Sequence, residues 1–535
     1  MKYVLFLFYF SFLLLLATCS YAQSVGVGTA SPSPSAKLDI SSTSQGLLPP
    51  RMTTTQRNAI NSPAAGLIIF NVTSTSLEIF NGLYWTPLLN GTTGANNVAV
   101  RKLYGGSLQD NIYAMQPAND GGFFMAGSSS STNSGTLTGI NNNGGSNTDM
   151  WVMKTDAAGN LEWQKLLGGI YQDAAYSVNA TSDGGCIVAG HSISPVGGIF
   201  TTPGYGANDG VIIKLNAAGS VQWYKLLGGS GLDGLASVQQ TADGGYIACG
   251  NSLSSNTGGL TGITGNGGSD AWIVKMDNAG NIQWQKLLGG NVFDALTSII
   301  QTSDGGYIGV GSSSSSNIGT LLGVSNNGGS DVWVIKMDNA GNLEWQKLFG
   351  GTLGDYADGF SGAAIKKTGD GGYIVGAYSI SSNTGSLTGI TNNGAVNGTA
   401  DCWIIKLNGF GSLQWQKLLG GSADEKCYGI IQTTDAGFVA VGYSESSNTG
   451  NLTGYTSSGY IDAWIIKLDN SGNLLWQKLL GGSGIDITCM VTQVSGGFAV
   501  AGYSNSAGTG YLTGLSGNGG NDGWFFKLDM FGNTY

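Results

Sequence analysis

Aspartate is the residue best placed for chemistry in this sequence, because it recurs in two columns at a regular spacing. The first column contains Asp110, Asp173, Asp233, Asp294, Asp355 and Asp486, with Asp424 or Glu425 in one further unit, and the second contains Asp149, Asp209, Asp270, Asp331, Asp401, Asp462 and Asp522. Such carboxylates can accept hydrogen bonds from loop backbone, ligate Ca²⁺ together with Asn and carbonyl oxygens, or form the acid–base pair of a glycosidase or lyase. Near-equal copies favour the structural role, since an active site needs asymmetry.

Asymmetry occurs in the longest unit of the sequence. That unit inserts residues 356–361 between Gly351 and Thr368, and it carries residues 392–400 in its long loop. Both insertions fall on the side of the fold that carries the two aspartate columns. A distinct binding site is therefore predicted there and at the neighbouring aspartates, at Asp355, Tyr356, Asp358, Asp270, Asp331 and Asp401.

Histidine and arginine are too scarce for several familiar kinds of site. The one histidine, His191, argues against a catalytic triad, a His-ligated zinc or a His acid–base pair, and we interpret it as a polar residue at a strand edge or close to a loop. The three arginines, Arg51, Arg57 and Arg101, are too few to clamp a substrate carboxylate. No glycine-rich phosphate loop precedes a predicted helix.

A repeat positions the aspartates. The phrase Trp-Gln-Lys-Leu-Leu-Gly-Gly and its variants recur roughly every 60 residues, and a degenerate copy at residues 100–106 brings the count to seven units. The tryptophans of this phrase are Trp163, Trp223, Trp284, Trp345, Trp415 and Trp476. A second column contains Trp151, Trp272, Trp333, Trp403, Trp464 and Trp524. Residues confined to repeat columns, including the repeated lysines, are interpreted as packing and blade-edge residues.

Each unit is predicted to contain four short strands. In one unit these are residues 236–240, 246–249, 270–276 and 282–287, with a tight turn at Asp243-Gly244-Gly245 and a long polar loop after the second strand. Four antiparallel strands at a fixed period are typical of a β-propeller, in which blades bury both faces against their neighbours. Residues 98–103 supply the outer strand that the last unit lacks. We therefore predict a closed seven-bladed propeller over residues 98–535.

Composition and the N-terminus indicate an exported β-rich protein. Among 535 residues there are 91 glycines and only 9 prolines, and the net charge of −10 argues against nucleic acid and anionic membranes as partners. Lys2, the apolar run after it and Ser20-Tyr21-Ala22 predict a signal peptide over residues 1–22. The cysteines left after cleavage do not recur with the repeat, so we interpret them as small buried residues.

The repeat pattern, with Asp-Gly-Gly-Tyr-Ile, Asp-x-Trp-Ile-x-Lys and Trp-Gln-Lys-x-x-Gly-Gly, resembles that of bacterial secreted β-propeller repeat proteins over all seven units. Residues 23–97 are predicted to form a separate β-rich module and linker. Their segments at residues 37–40, 46–52 and 66–71 resemble those of surface and tail-fibre-like proteins, and an Asn81-Gly82 turn predicts a hairpin. This resemblance implies an attachment or spacer module that is able to form a homo-oligomer.

Function is predicted only in outline. Long loops rich in Ser, Thr, Asn and Gly would form a polar platform on one face, suited to extracellular glycans or surface proteins. The sequence predicts a secreted or cell-surface binding or structural protein without a cofactor, with Ca²⁺ as an open alternative. A polysaccharide-active hydrolase or lyase that uses rim carboxylates is the alternative function. No membrane insertion is expected in the mature chain.

Overall fold

The computed structural model describes residues 25–29, 31, 33, 36–73, 76–80, 85–87, 100–145, 147–194, 196–357, 364–394 and 398–534. The chain divides into two compact units, Met1–Asn96 and Asn97–Tyr535. The predicted signal peptide and the linker at residues 91–97 lie outside the described residues.

The first unit consists of short strands and one short helix. Its strands are Val25–Val27, Leu38–Ile40, Arg51–Met52, Ile68–Asn71, Ser76–Phe80 and Trp85–Pro87. The first two pair in parallel, and the other four form one sheet in chain order. The antiparallel pairing of the last two is the hairpin predicted from the sequence, although its turn lies outside the described residues. The helix Thr54–Asn58 begins at a capping box, in which Thr53 and Gln56 bond each other's backbone N–H groups.

The second unit is a multi-bladed β-propeller, and its described residues form six four-stranded antiparallel sheets and one with a first strand divided in two, called blades 1 to 7 here. The first strands are Asp110–Pro117, Asp173–Ala180, Asp233–Gln240, Asp294–Gln301, Asp355–Tyr356 with Ile365–Lys367, Glu425–Gln432 and Asp486–Val494. The second strands are Phe123–Ser129, Cys186–Ser192, Tyr246–Ser252, Tyr307–Ser313, Tyr373–Ser379, Phe438–Ser444 and Gly497–Ser504. The first strand of blade 5 consists of two segments, and the division falls at the insertion that the sequence predicted to distinguish this unit from the others.

The third and fourth strands complete each blade. The third strands are Asp149–Thr155, Asp209–Leu215, Asp270–Met276, Asp331–Met337, Asp401–Leu407, Asp462–Leu468 and Asp522–Asp529. The fourth strands are Leu161–Leu167, Val221–Leu227, Ile282–Leu288, Leu343–Phe349, Leu413–Leu419, Leu474–Leu480 and, in blade 7, Arg101–Tyr104. Six long loops between second and third strands contain a 3₁₀ turn, at Gly135–Leu137, Gly258–Leu260, Gly319–Leu321, Gly385–Leu387, Gly450–Leu452 and Gly510–Leu512.

The two ends of the propeller meet in blade 7. Arg101–Tyr104 pairs with Asp522–Asp529, with Leu103 opposite Trp524. Side chains of blade 1, such as Ile112, pack in one apolar cluster with side chains of blade 7, such as Met490. The blades therefore form a closed ring, in which the first and the last blade pack against each other.

First strands lie nearest the axis of the ring. Ser177 Oγ in blade 2 accepts a hydrogen bond from Val238 N in blade 3 at 3.1 Å, and Gln239 Oε1 accepts one from Gln301 N in blade 4 at 2.8 Å. Fourth strands lie outside and expose apolar side chains such as Leu343. Since strands alternate in direction, first and third strands begin at the same rim of the ring, called the loop rim here.

The repeat columns hold the blades together, as their regularity predicted. Trp272 is 1% exposed and donates from Nε1 to Gln285 Oε1 at 3.2 Å. The ring of Trp223 packs against the next blade at Gly280, where a Cβ would come within 2.9 Å of it. Buried Lys275 bonds the turn residue Asp243 at 2.9 Å. These observations confirm packing and pairing roles for both tryptophan columns and the third-strand lysines.

The described part of the chain has no helix with the length and hydropathy of a membrane span. Its cysteines are buried, at Cys186, Cys249, Cys402, Cys427 and Cys489. Their burial agrees with the interpretation of these residues as small apolar side chains.

Candidate binding face

Each first strand begins with a carboxylate that is built into the loop rim. In blade 3, Asp233 Oδ2 accepts hydrogen bonds from Gly229 N at 2.6 Å and Ser254 Oγ at 2.7 Å, and Oδ1 accepts one from Ser252. In blade 6, Glu425 accepts from Gly421 N at 2.5 Å. The sixth member of the first aspartate column is therefore Glu425, and Asp424 lies beside it in the loop.

The third-strand aspartates bind their own long loops. Asp331 Oδ2 accepts hydrogen bonds from the backbone N of Asn327 at 2.9 Å and from its Nδ2 at 2.8 Å. The third-strand aspartates lie at the same rim as the first-strand carboxylates. In blade 3, for example, Ser252 pairs with both Asp233 and Asp270. Both columns thus shape the loops by accepting hydrogen bonds, which is the structural role that the repetition favoured.

Carboxylates of the two columns meet across a glycine between neighbouring blades. A Cβ on Gly350 would lie 2.2 Å from Asp331 Oδ1 and 2.7 Å from Asp355 Oδ2. The equivalent pairs flank Gly105, Gly168, Gly289, Gly420 and Gly481. Within the described residues, the third-strand carboxylate has an oxygen with no hydrogen-bond partner in five cases, namely Asp149, Asp270, Asp331, Asp401 and Asp462.

These pairs are buried and hard to ionise together. Burial raises the pKa of Asp331 to about 6, and the negative charge of Asp355 adds to the rise. Burial likewise raises the pKa of Glu425 to about 7, with Asp401 as a further contributor. The described residues contain no group of three or more His, Cys, Asp or Glu side chains arranged for a metal ion. Calcium binding stays a prediction.

The structure separates the described members of the predicted site. Asp355, Asp270, Asp331 and Asp401 are at most 2% exposed, so their carboxylates do not face a large ligand directly. Asp331 is brought together with Asp355, whereas Asp270 and Asp401 meet the carboxylates of other blades.

Of the two predicted residues in the insertion, one is described. Tyr356 is half-buried and its ring lies 5.4 Å from that of Tyr378. Asp358 lies outside the described residues. A binding role for the six residues stays a prediction, and Tyr356 is the described member with a partly accessible side chain.

Aromatic side chains gather on the axis side of the loop rim, at positions where the repeat is not uniform. One position precedes the last serine of each second strand and holds Ser128, His191, Asn251, Ser312, Tyr378, Tyr443 and Tyr503. The other lies at a β-bulge of the first strand and holds Tyr113, Tyr176, Ala236, Thr297, Tyr428 and Cys489. With Tyr356, the aromatic members form what we call the aromatic arc, comprising Tyr113, Tyr176, His191, Tyr356, Tyr378, Tyr428, Tyr443 and Tyr503.

Ring contacts link the arc across blades. The Tyr113 ring lies 5.7 Å from that of Tyr176 and 6.1 Å from that of Tyr503. In blades 5 and 6, the Lys426 ammonium lies 4.6 Å from the centre of the Tyr378 ring. Burial, with nearby tyrosines contributing, raises the pKa of Tyr428, so its hydroxyl stays neutral in this environment. Blades 3 and 4 instead present small residues, which gives the rim one aromatic and one open side.

A cavity of about 250 Å³ opens where the arc gives way to small residues. It is lined by Tyr176, His191, Asn208, Leu232, Asp233, Gly234, Leu235, Ala236 and Asn251. The rings of Tyr176 and His191 lie 5.3 Å apart at 34°. Burial lowers the pKa of His191, which favours the neutral imidazole at neutral pH.

The loop rim also exposes large apolar side chains, which the expectation of a polar platform did not include. They follow the fourth strands and include Leu108, Tyr171, Leu232, Val292, Phe293 and Leu353, each 42–51% exposed. We call them the apolar ring. The face therefore combines polar loops with apolar contact surface.

Sequence reasoning missed the aromatic arc. His191 lies close to a loop, as one of its sequence interpretations had it, but the sequence did not predict that it lines a cavity. A signal was present in the repeat alignment. Second strands end in nearly the same residues, yet the position before the last serine varies from Ser to His to Tyr. A position that varies within an otherwise uniform strand indicates a residue whose role is not packing alone.

Comparisons with known proteins bear mainly on the first unit. Residues 26–99 are similar to the phage tail like trimerisation region. No curated protein matches the chain.

Solved structures similar to the chain include propeller proteins of low identity. BamB from Moraxella catarrhalis is 14% identical, with a TM-score of 0.33, over 79% of this chain and 100% of that chain. The Pan2 WD40 domain of Neurospora crassa is 8% identical, with a TM-score of 0.40, over 80% of this chain and 92% of that chain. YCF48 bound to D1 peptide is 11% identical, with a TM-score of 0.38, over 82% and 100% respectively.

Proposed function

We propose that this protein is an exported, homo-oligomeric binding protein that recognises glycans through the axis side of its loop rim. The half-buried members of the aromatic arc carry the proposal, namely Tyr113, Tyr176, His191, Tyr356 and Tyr503, whereas Tyr378, Tyr428 and Tyr443 are at most 8% exposed. Tyrosine rings offer flat apolar faces with a hydroxyl at the edge, which suits the alternating C–H faces and hydroxyl groups of sugar rings. Ser, Thr and Asn loops around the arc add hydrogen-bonding groups.

Oligomer formation through the first unit is supported by its poor core. Only Ile69, Asn71 and Glu78 are buried among its described residues, whereas Leu47 and Leu48 are 71% and 72% exposed. A unit of this size with so few buried apolar side chains gains stability when copies associate. Similarity of residues 26–99 to a trimerisation region supports three copies. Three propellers would bind a repetitive glycan surface with avidity.

The proposed location is extracellular or on the bacterial cell surface. It rests on the signal peptide predicted over residues 1–22 and on the resemblance of the repeats to those of secreted proteins. The polar loops and low charge content agree with a protein that works outside the cell. N-terminal sequencing of the exported protein tests the location, and a chain retained in the cytoplasm with Met1 would contradict it.

Glycan retention tests the ligand class. The mature chain is applied to a glycan array beside the variant Tyr113→Ala/Tyr503→Ala, which removes two half-buried rings, and the control Phe410→Ala. Phe410 is 82% exposed in the turn between the third and fourth strands of blade 5, on the opposite rim. Retention that the arc variant loses and the control keeps is expected. Equal retention of all three proteins contradicts the proposal.

A protein ligand is the second candidate, and the apolar ring favours it. Side chains such as Leu232 and Phe293 are 51% and 44% exposed on the same face as the arc. Protein interfaces use exposed apolar and aromatic groups of this kind. Cross-linking to surface proteins that Phe293→Ser/Leu353→Ser abolishes, without any change in glycan retention, would favour this candidate, since neither residue lines the cavity.

Polysaccharide cleavage by rim carboxylates is less favoured, because the paired carboxylates are buried and engaged by loops. A cleaving enzyme would need one blade-specific pair within reach of its polymer. Reducing-end release from polysaccharides, with Asp401→Asn/Glu425→Gln as the negative control, tests this alternative. Release that the control abolishes would replace the binding proposal.

A further inference from the structure

The cavity in blades 2 and 3 differs from the rest of the rim because two first-strand positions of blade 3 hold smaller residues than the same positions of blade 1. Blade 3 has Gly234 and Ala236 where blade 1 has Asn111 and Tyr113. A Cβ at Gly234 would approach only the Cβ of His191, at 3.8 Å. The space is therefore open for a ligand and is not filled by packing.

One wall of the cavity is aromatic. Tyr176 and His191 present neighbouring rings, 5.3 Å apart and 34° from parallel. Burial raises the pKa of Tyr176 to about 12 and lowers that of His191, so both side chains are neutral at neutral pH. Neutral rings with polar edges stack on apolar faces and donate or accept hydrogen bonds at their margins.

The rest of the lining offers amides and no cation. Asn208 lines the cavity, and its buried Oδ1 has no hydrogen-bond partner among the described residues. Asn251 lies opposite Gly234 and donates from Nδ2 to Ser269 Oγ at 3.0 Å. A buried amide oxygen without a partner is costly unless a ligand donor or a water reaches it.

The charge of the lining excludes acidic ligands. Asp233 is the one acidic residue of the lining, and the lining contains no Lys or Arg. Its carboxylate is already held by Gly229 N and Ser254 Oγ. A phosphate, sulfate or carboxylate would meet repulsion and no compensating cation. The lining therefore suits a neutral ligand with hydroxyl donors.

We infer that this cavity is a subsite for one neutral sugar ring of a glycan. It rests on the proposed glycan-binding function and deepens it by naming the subsite and the chemical class of sugar. A volume of about 250 Å³ lies below the ~300–1,000 Å³ of sites for drug-sized ligands, so it holds one ring and not an oligosaccharide. The ring stacks on Tyr176 or His191 and donates a hydroxyl to Asn208.

A filling variant tests the subsite while copying residues that the fold already accepts. Gly234→Asn/Ala236→Tyr reproduces the blade 1 residues at these positions, and His191→Ala removes part of the aromatic wall. The full mature chain and both variants are titrated with neutral oligosaccharides and with sulfated and uronate-containing ones. Phe410→Ala serves as the matched control, and circular dichroism verifies the fold of each protein.

Neutral oligosaccharides are expected to bind the wild type and the control, and both cavity variants should weaken binding by about tenfold or more. Folded cavity variants that bind neutral glycans as well as the wild type would overturn the subsite and leave the proposed function standing. Preference for acidic oligosaccharides would overturn the assigned sugar class. Absence of any glycan binding by the wild type would overturn both the subsite and the proposed function.

Discussion

Neutralising one buried carboxylate should stabilise the propeller at alkaline pH. Asp331 has a pKa raised from 3.8 to about 6, a shift of about 2 units that corresponds to about 3 kcal/mol of folding free energy lost when the group is ionised. In Asp331→Asn, the amide oxygen can still accept from Asn327, and the amide nitrogen can donate toward Asp355. We expect the free energy of unfolding to rise by about 1–3 kcal/mol at pH 8.

The sign of the pH dependence is specific. A carboxylate with a raised folded pKa takes up its proton in the folded protein first, so its contribution to stability is present below pH 3.8 and is lost as the pH rises through about 6. The advantage of Asp331→Asn should accordingly shrink to about 0.5 kcal/mol at pH 4. Guanidinium unfolding at pH 8, 6 and 4, followed by tryptophan fluorescence, measures it.

Asp209→Asn is the matched control. Both oxygens of Asp209 accept from Tyr205 N, at 3.1 and 3.0 Å, whereas Asp331 Oδ1 has no hydrogen-bond partner among the described residues. Its substitution should stabilise the protein less than that of Asp331. Destabilisation by Asp331→Asn at pH 8, accompanied by an EDTA-sensitive wild type, would refute the reasoning, because it would mean that the pair holds a cation such as Ca²⁺.

Further predictions concern assembly, acid stability and packing. Leu47→Asp/Leu48→Asp should convert the oligomer to a monomer in light scattering; an unchanged mass would exclude these side chains from the interface. A hydrogen bond from Thr302, aided by Lys336, lowers the pKa of Asp304 to about 2. The ionised carboxylate therefore stabilises the folded protein, and acid titration should show this stability being lost between about pH 4 and pH 2, as Asp304 takes up its proton. Trp272→Phe should cost about 1–3 kcal/mol, since Gln285 loses its buried donor; an unchanged unfolding midpoint would contradict this.

The repeat made the fold predictable. Gly-rich turns, alternating apolar strands and two tryptophan columns recur, and each recurrence adds the same information about packing. The positions of Trp223, Lys275 and Asp233 followed from this regularity because each makes the same contact in successive blades. The short strands of the first unit were less legible, since few of their side chains form a core.

The candidate site was only partly predictable for the same reason. Asymmetry pointed to blade 5, where Tyr356 belongs to the aromatic arc, and a binding site there stays a prediction. Burial of Asp355 and Asp331 depends on how loops fold back over the rim, which their spacing does not encode. His191 and Gly234 come together across two blades, and no local pattern connects residues that distant in the chain.

Hydrogen–deuterium exchange with a bound neutral oligosaccharide tests the central claim most directly, because it locates the ligand. Protection is predicted at the loop-rim ends of the second strands, around His191, Tyr443 and Tyr503, with no change at the opposite-rim turn around Phe410. Protection confined to that turn or to residues 26–99 would contradict the assignment of the aromatic arc as the binding face.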